Sequence, residues 1–224
     1  MSSEQKAPPP PYTVDVVMLT PQEDELALLL QWTSPSDSWS LPWDTPGEHD
    51  TLDGTANQIA ERATGTSPAW IEQIGAFGDR IPHSSGADIS VAFAALVPLG
   101  TSAPAGGRFA WFKIDALPPL AERQQVIVQH SVSVVRDRMD LSPVAFRLLP
   151  TSFTLSELQQ MYELLLGKRL HKASFRRALQ AAWLVEPTDE WRSEGRGRPA
   201  QLYRYAPKKR RKGRRGVRFD LLAP

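Results

Sequence analysis

Cysteine is absent from the 224 residues of this chain, and its absence excludes several kinds of site. The protein has no disulfide, no thiolate nucleophile and no cysteine-ligated zinc. Its four histidines, His49, His83, His130 and His171, are scattered, and no two have the spacing of metal ligands. We expect them at surface or helix-capping positions. The sequence therefore predicts neither a metal nor a cofactor.

Long hydrophobic runs are missing as well. No apolar stretch approaches the roughly eighteen residues that a membrane span needs. Residues 1–11 are polar and proline-rich rather than signal-like, and we expect a disordered lead-in there. With 41% hydrophobic residues, the chain can bury real cores, and its length fits two small domains. We expect a soluble, bacterial-type cytoplasmic protein with no membrane partner.

Net charge is almost absent, at +1, but the two signs are separated along the chain. Residues 151–224 hold 17 of the 26 lysines and arginines and only 7 of the 25 acidic residues. The remainder is correspondingly acidic. Part of the excess lies in a basic tail, 208–224, whose run Lys208–Arg215 would add sequence-independent attraction for phosphates. The basic part suits a polyanion, whereas the acidic part would avoid one.

Residues 149–207 begin with the signals of a short capped helix. Thr154 and Glu157 have capping-box spacing, and Phe153 and Leu158 stand where a hydrophobic staple would close. Gly167 is a natural C-terminal stop. Apolar residues recur between these signals at helical spacing: Leu155, Leu158, Met161, Tyr162 and Leu165.

A second helix is predicted from Lys172 to Trp183. Its apolar stripe comprises Phe175, Ala178, Leu179 and Ala182, and the residues off the stripe can meet a DNA groove: Lys172, Arg176, Arg177 and Gln180.

A hairpin pattern follows the second helix. Trp183–Val185 and Ala200–Tyr205 are predicted strands, and Trp191–Pro199 between them is a glycine-rich tip with three arginines. Such a tip can lie against phosphates or enter a narrowed minor groove. Two helices and a basic hairpin predict a winged helix-turn-helix domain that binds double-stranded DNA.

Six residues of this domain are the predicted DNA contacts: Lys172, Ser174, Arg176, Arg177, Arg196 and Arg198. An arginine that pairs bidentately with guanine contributes about 1–3 kcal/mol of discrimination. Two other interpretations stay open. Exposed basic residues are often only solvated, and Arg176 or Arg177 could instead pair with Glu157 or Glu163.

Residues 12–148 alternate between strand and helix patterns, which predicts an α/β or α+β sandwich. Loops are predicted at Pro21–Glu25 and Trp39–Pro42. The helix at Thr55–Thr64 has an apolar side and a stop at Gly65, and the helix at Arg123–Met139 faces inward through Val128, Val132, Val135 and Met139. The predicted strands are Tyr12–Leu19 with one buried face, Leu26–Trp32 with two, Ile71–Phe77, Ile89–Leu99 and Phe109–Ile114.

The two strands, Trp39-Ser40-Leu41-Pro42 and a helix ending Thr64-Gly65 resemble a Nudix domain. That family's signature helix carries an arginine and three glutamates before its glycine, and the glutamates hold magnesium. Anchored on Gly65, the arginine falls on Gln58 and the glutamates fall on Ile59, Arg62 and Ala63. Magnesium prefers oxygen ligands, so the resemblance implies the fold without the metal site, and we expect no hydrolase.

Together the two parts resemble the NrtR family, Nudix-related transcriptional regulators of NAD metabolism, over about residues 12–207. The resemblance implies an α+β protein: a Nudix-like α/β/α sandwich at 12–148 for the effector and dimerisation, then a winged helix at 149–207. It also implies a homodimeric repressor on a palindromic operator, released by ADP-ribose or a related nucleotide. The motifs that carry it are Leu148–Pro150, Phe153–Gln159, Phe175–Arg177, Gly197–Tyr203, Phe77–Arg80 and Ile89–Ala92.

The predicted effector contacts are aromatic or charged: Trp32, Trp39, Trp43, Asp44 and Arg80. An indole can stack on adenine, and arginine can pair with phosphate. Trp43-Asp44 replaces the glycine pair that follows Leu-Pro in the family, so the pyrophosphate site would be reshaped.

Two alternatives remain. The chain could be an active Nudix pyrophosphatase that uses Glu48, Asp50 and Asp53, or a DNA-binding protein whose Nudix-like domain only dimerises.

Overall fold

The computed structural model describes residues 11–22, 25–34, 37–78, 83–103, 107–141, 143–193 and 199–206, with the backbone alone at 139–141. The predictions for the lead-in 1–10, Arg80, Arg196, Arg198 and the basic tail lie outside the described residues, as does the side chain of Met139. The elements are β1 (Tyr12–Gln22), β2 (Glu25–Thr33), β3 (Ser38–Ser40), β4 (Trp43–Asp44), α1 (Leu52–Thr64), β5 (Trp70–Phe77), β6 (Ile89–Leu96), β7 (Phe109–Lys113), α2 (Glu122–Leu141), α3 (Leu155–Leu166), α4 (Lys172–Ala182), β8 (Val185–Arg192) and β9 (Ala200–Tyr205).

The chain divides into two compact units. The first holds most of the large sheet, α1 and α2 as far as Val132. The second holds the rest of α2, α3, α4 and the β8–β9 hairpin, with two short segments at Thr20–Leu26 and Pro98–Gly100. No helix in the described part of the chain is long and apolar enough to cross a membrane.

The first unit is built on a mixed sheet with strand order β3-β2-β1-β6-β5, in which β4 also pairs with β1 and β7 with β2. β1 and β6 run parallel, with Val16 opposite Phe93. The pairs β1–β4, β2–β3, β2–β7 and β5–β6 are antiparallel. Together with the helices and the hairpin of the second unit, this sheet makes the chain an α+β protein.

The burial of β1 differs from the sequence prediction. Residues Thr13 to Pro21 are all buried, so both faces are covered and the prediction of one buried face was wrong. The strand also continues through Pro21 and Gln22, where the sequence predicted a turn. A central strand covered on both faces shows no polar alternation to mark its sides.

One face of β1 packs on α1, as the pattern of small residues predicts. Ala56, Ile59, Ala60 and Ala63 are at most 1% exposed and join Val14, Val16 and Met18 in one core. The helix begins three residues earlier than predicted, because the Thr51 side chain accepts a hydrogen bond from the Gly54 amide. It ends as predicted at Gly65, whose φ of 72° is the left-handed conformation that glycine adopts without strain.

The opposite face of β1 carries a buried polar network. The Asp15 carboxylate is fully buried, accepts a hydrogen bond from the Thr13 hydroxyl at 2.7 Å and lies 3.2 Å from His83 Nε2. His83 Nδ1 accepts a hydrogen bond from the Ser85 amide, so the ring proton belongs on Nε2, facing Asp15. The 3.2 Å approach is an ion-pair distance without hydrogen-bond geometry.

The surface or capping role predicted for His83 was therefore wrong, since the side chain is 1% exposed. The sequence signal for this contact was Asp15, a charged residue within a largely apolar strand, which requires a buried polar partner. His171 does occupy a helix-capping position, and His49 and His130 are exposed.

The bounds of three other strands also differ from the sequence prediction. Trp39 and Ser40 belong to β3, where a loop was predicted, because they pair with Trp32 and Gln31 of β2. β6 ends at Leu96 rather than Leu99, and β7 ends at Lys113, one residue before a single 3-10 turn.

The buried pair gives a stability prediction. His83→Ala should lower the free energy of unfolding of the first unit by about 2–3 kcal/mol, because the buried Asp15 side chain would lose the polar group that lies 3.2 Å from it. Urea unfolding followed by tryptophan fluorescence measures the loss. His130→Ala is the matched control, since His130 is exposed and its bond to the Ile74 carbonyl is 3.3 Å long. Equal losses in the two variants would contradict the interpretation.

Candidate nucleic-acid interface

The first helix of the second unit is closed at both ends by the predicted signals. The Thr154 hydroxyl accepts from the Glu157 amide at 3.1 Å, and the Glu157 carboxylate accepts from the Thr154 amide at 2.6 Å. The capping box is therefore complete. At the other end Gly167 has a φ of 66° and donates its amide to the carbonyls of Glu163 and Leu164. α3 thus has fixed ends at Thr154 and Gly167.

The turn between α3 and α4 is organised by Glu163. One carboxylate oxygen accepts hydrogen bonds from the Gln159 side chain and the Leu170 amide, both at 2.8 Å, and the other accepts from Arg169 at 3.0 Å. The Gln159 amide group also donates to the Leu170 carbonyl at 3.0 Å. These bonds fix the path of the chain from the end of α3 to the start of α4.

The same contacts set the titration of Glu163. Burial raises its pKa, but the hydrogen bonds from Gln159, Leu170 and Arg169, together with the Arg169 charge, outweigh burial and hold the pKa below its ordinary value. The carboxylate is therefore ionised wherever an ordinary glutamate would be.

α4 presents a basic face. Its apolar stripe is confirmed, with Phe175 and Leu179 buried and Ala178 and Ala182 partly buried. Phe175 contacts Tyr162 of α3 edge to face, with ring centroids 5.5 Å apart, which locks the two helices together. The four polar residues predicted to lie off the stripe are all exposed: Lys172, Arg176, Arg177 and Gln180. Ser174 is half-buried, near His171 at 3.3 Å.

The ion pairs that the sequence left open for Arg176 and Arg177 do not form. Glu157 pairs with Arg192 at 2.6 Å, and Glu163 pairs with Arg169 at 3.0 Å. Among the described residues, Arg176 and Arg177 make no ion pair.

The hairpin is longer than predicted and begins later. Trp183 is no strand residue; it ends α4 with a φ of 53°, a left-handed conformation that is rare outside glycine. β8 instead runs from Val185 to Arg192, so Trp191 and Arg192 belong to the strand and not to the tip. β9 is confirmed at Ala200–Tyr205.

The hairpin is attached to the start of α3. Phe153 and Tyr203 exchange two backbone hydrogen bonds, of 2.9 and 2.7 Å. Leu202 is 6% exposed, whereas Trp191 is 57% exposed. The resulting arrangement of two locked helices and an attached hairpin is a winged helix.

The comparisons with known proteins agree with this geometry. Residues 145–205 match the family model of the NrtR DNA-binding winged helix domain. The chain is 29% identical over 210 residues to the ADPR responsive transcriptional repressor NtrR of Acinetobacter baylyi, covering 89% of this chain and 83% of the relative. It is 28% identical to Shewanella oneidensis NrtR in a crystal structure with a 27mer DNA, with a TM-score of 0.75 over 88% of this chain and 94% of that one.

The chain is similar to the NrtR proteins, and its residues 145–205 match their DNA-binding domain. The domain before the winged helix has a Nudix-like fold. A MutT/nudix family protein from Enterococcus faecalis shares the fold of the chain at 21% identity, with a TM-score of 0.70 over 90% of each chain.

In this NrtR-like chain the predicted effector residues form separate local contacts. Trp32, at 39% exposure, meets Trp39 edge to face at 5.2 Å. Trp43 meets His83 at 4.7 Å, and its indole nitrogen is buried with no partner among the described residues. Asp44 pairs with Arg62 of α1 at 2.7 Å. Whether these residues contact a ligand remains a prediction.

α1 carries the three residues that align in sequence with the glutamates of the Nudix signature: Ile59, Arg62 and Ala63. The Ile59 and Ala63 side chains are buried in the core of the first unit. Arg62 is half exposed and directs its guanidinium to Asp44. In the part of the chain that the structure describes, no three His, Asp or Glu side chains form a cluster suited to a metal ion.

The lowered pKa of Glu163 predicts that the stability of the second unit depends on pH. A depressed pKa contributes stability that is present above the ordinary glutamate value, about 4.3, and is lost as pH falls through the lowered folded value. Glu163→Gln should therefore destabilise the second unit by about 1–2 kcal/mol at neutral pH. The difference from the unsubstituted chain should shrink in acid.

Urea unfolding at neutral and acidic pH, followed by circular dichroism, measures this difference. Asp189→Asn removes an exposed carboxylate from β8 and is the control. A Glu163→Gln loss that is the same at every pH would contradict the assignment.

Proposed function

We propose that this chain is a sequence-specific DNA-binding transcriptional regulator, acting as a repressor. The observation that carries the proposal is the exposed basic face of α4 within a winged helix. Lys172, Arg176 and Arg177 project from a helix whose opposite side is locked to α3. Such a helix can enter the major groove, whose base edges distinguish all four base pairs.

The division of the chain supports two roles. We propose that residues 149–207 bind DNA, while 12–148 bind a small effector and form a homodimer. A dimer would place two recognition helices about one DNA turn, ~34–36 Å, apart and would prefer a palindromic operator. A regulator of this kind would act in the cytoplasm, where a bacterial chromosome lies.

We propose that the effector is ADP-ribose or a related nucleotide, as the name of the Acinetobacter relative states for that protein. NAD metabolism would then be the process under control. Exposed indole rings such as Trp32 could stack on an adenine. Trp39, Trp43, Asp44 and Arg80 complete the proposed contact set.

We also propose that the chain does not hydrolyse this effector. The side chains of Ile59 and Ala63 contain no oxygen and are buried, and Arg62 holds Asp44 in an ion pair. These side chains do not fit a magnesium ion, which needs carboxylate ligands beside the substrate phosphates. The proposed role of ADP-ribose is therefore to bind and shift an equilibrium.

The proposed function predicts that the basic face of α4 binds DNA. Arg176→Met and Arg177→Met should each weaken binding to the DNA upstream of this gene by about thirtyfold, which corresponds to the middle of the range of about 1–3 kcal/mol for one lost arginine contact. Where the lost partner is a phosphate, the slope of log Kd against log salt should fall by about 0.9. Fluorescence anisotropy with a labelled duplex measures both quantities.

Arg108→Met removes one exposed positive charge from the first unit and is the control. It should change neither the affinity nor the slope. Equal binding by all three variants and the unsubstituted chain would contradict the assignment of α4.

The proposed function also predicts that the effector releases the protein from DNA. ADP-ribose added to the protein–DNA complex should release the labelled duplex, because a ligand that favours the free form shifts the population. Liquid chromatography of the same mixture, with magnesium present, should recover ADP-ribose intact. Release of AMP would identify an active pyrophosphatase, and no effect on DNA binding would leave only a dimerisation role for the Nudix-like domain.

A further inference from the structure

The carboxylate of Glu157 contacts both the first turn of α3 and the end of β8. Glu157 uses one oxygen for the capping box, accepting from the Thr154 amide at 2.6 Å. Its other oxygen accepts from Arg192 Nη1, also at 2.6 Å, across 35 positions of sequence. Both side chains are about one third exposed. A single residue therefore caps α3 and holds the last residue of β8.

Within the described part of the hairpin, this contact adds to another attachment near the start of α3. That attachment is the backbone pair Phe153–Tyr203. Arg192 stands opposite Ala200 in the hairpin register, three residues along β9 from Tyr203, so the attachments are about 10 Å apart along the strand. Two separated attachments fix the direction of a hairpin, whereas a single attachment would allow the hairpin to rotate about it.

The hairpin needs the outer attachment because it is irregular between the two. The pairing register shifts between Pro187 and Trp191, and bulges of this kind bend and twist a strand. Thr188 spans the irregular stretch by donating its hydroxyl to the Leu202 carbonyl at 3.0 Å. Arg192 is the first regularly paired side chain beyond the shift that reaches back to a helix.

We propose that Glu157 and Arg192 are wing-positioning residues: their ion pair aims the outer end of the hairpin at DNA, and Arg192 does not itself contact DNA. The inference rests on the proposed DNA-binding function. It assigns Arg192 a different role from the arginines of α4, which lack such a partner among the described residues.

Glu157→Gln separates this role from simple electrostatics. Glutamine at this position of a capping box still accepts the cap hydrogen bond, so α3 should remain closed. Removing a negative charge should tighten DNA binding if only net charge mattered. Loss of the positioning contact should instead weaken it, by roughly fivefold.

The experiment measures anisotropy of a labelled duplex across a salt series for the full-length chain, Glu157→Gln, Arg192→Met and the double variant. We expect each single variant to bind roughly fivefold more weakly, the double variant to bind no more weakly than either, and the salt slope to stay unchanged. Glu190→Gln removes an exposed negative charge two residues from Arg192 and is the control, with equal or slightly tighter binding.

Two results would overturn the inference. One is tighter or unchanged binding by Glu157→Gln; the other is a fall of about 0.9 in the slope for Arg192→Met, which marks a lost phosphate contact. If Glu157→Gln does not fold, as judged by circular dichroism, the slope of Arg192→Met decides alone. If the unsubstituted chain binds no DNA, the proposed function fails, and that outcome is distinct from both.

Discussion

The hydrogen bonds that Glu163 accepts from three donors are the contact on which the winged helix depends. They tie the end of α3 to the start of α4, from Gln159 to Leu170. A recognition helix is useful only when its basic face has a defined direction, because bidentate pairing with a base tolerates little misplacement. The buried Tyr162–Phe175 contact then holds the other side of α4. The exposed row of Lys172, Arg176 and Arg177 follows from these two restraints.

Carboxylates have a second structural use in this unit. Glu157 closes the capping box and also receives Arg192 of the hairpin. Acidic residues are few in this part of the sequence, and the structure places two of them where they fix a turn and a wing. Among the described residues, Lys172, Arg176 and Arg177 are exposed and make no ion pair, which is what a surface for a polyanion requires.

The Nudix-like domain has a different design. Alanines at 56, 60 and 63 let α1 pack closely on the valines of β1, and a helix committed to a core on this side has few positions left for ligands. Arg62 engages Asp44 rather than standing free. In this domain Ile59 and Ala63 serve the packing of the core, and Arg62 serves the ion pair with Asp44.

The sequence predicted the features that depend on local rules. Thr154, Glu157, Gly65 and Gly167 act through neighbours within a few residues, so their spacing was enough. The stripe of α4 was predictable because helical periodicity does not depend on the rest of the fold.

The misses arise from contacts between distant parts of the chain. His83 is buried against Asp15 of β1, which lies far from it in sequence, and no spacing rule connects the two residues. Arg192 was placed in the tip because its partner Glu157 is 35 residues away. Trp183 was predicted both as the end of the second helix and as the first residue of a strand, and the structure places it at the end of α4 in the left-handed conformation.

The central claim is that α4 recognises DNA sequence rather than charge alone. Selection of the intact chain against a pool of random duplexes at moderate salt, followed by sequencing, tests it most directly. The account predicts enrichment of a palindrome whose half-sites are centred about one helical turn, or a multiple of it, apart. A selected pool that remains random, while binding still falls steeply with salt, would contradict it and leave only non-specific attraction to phosphates.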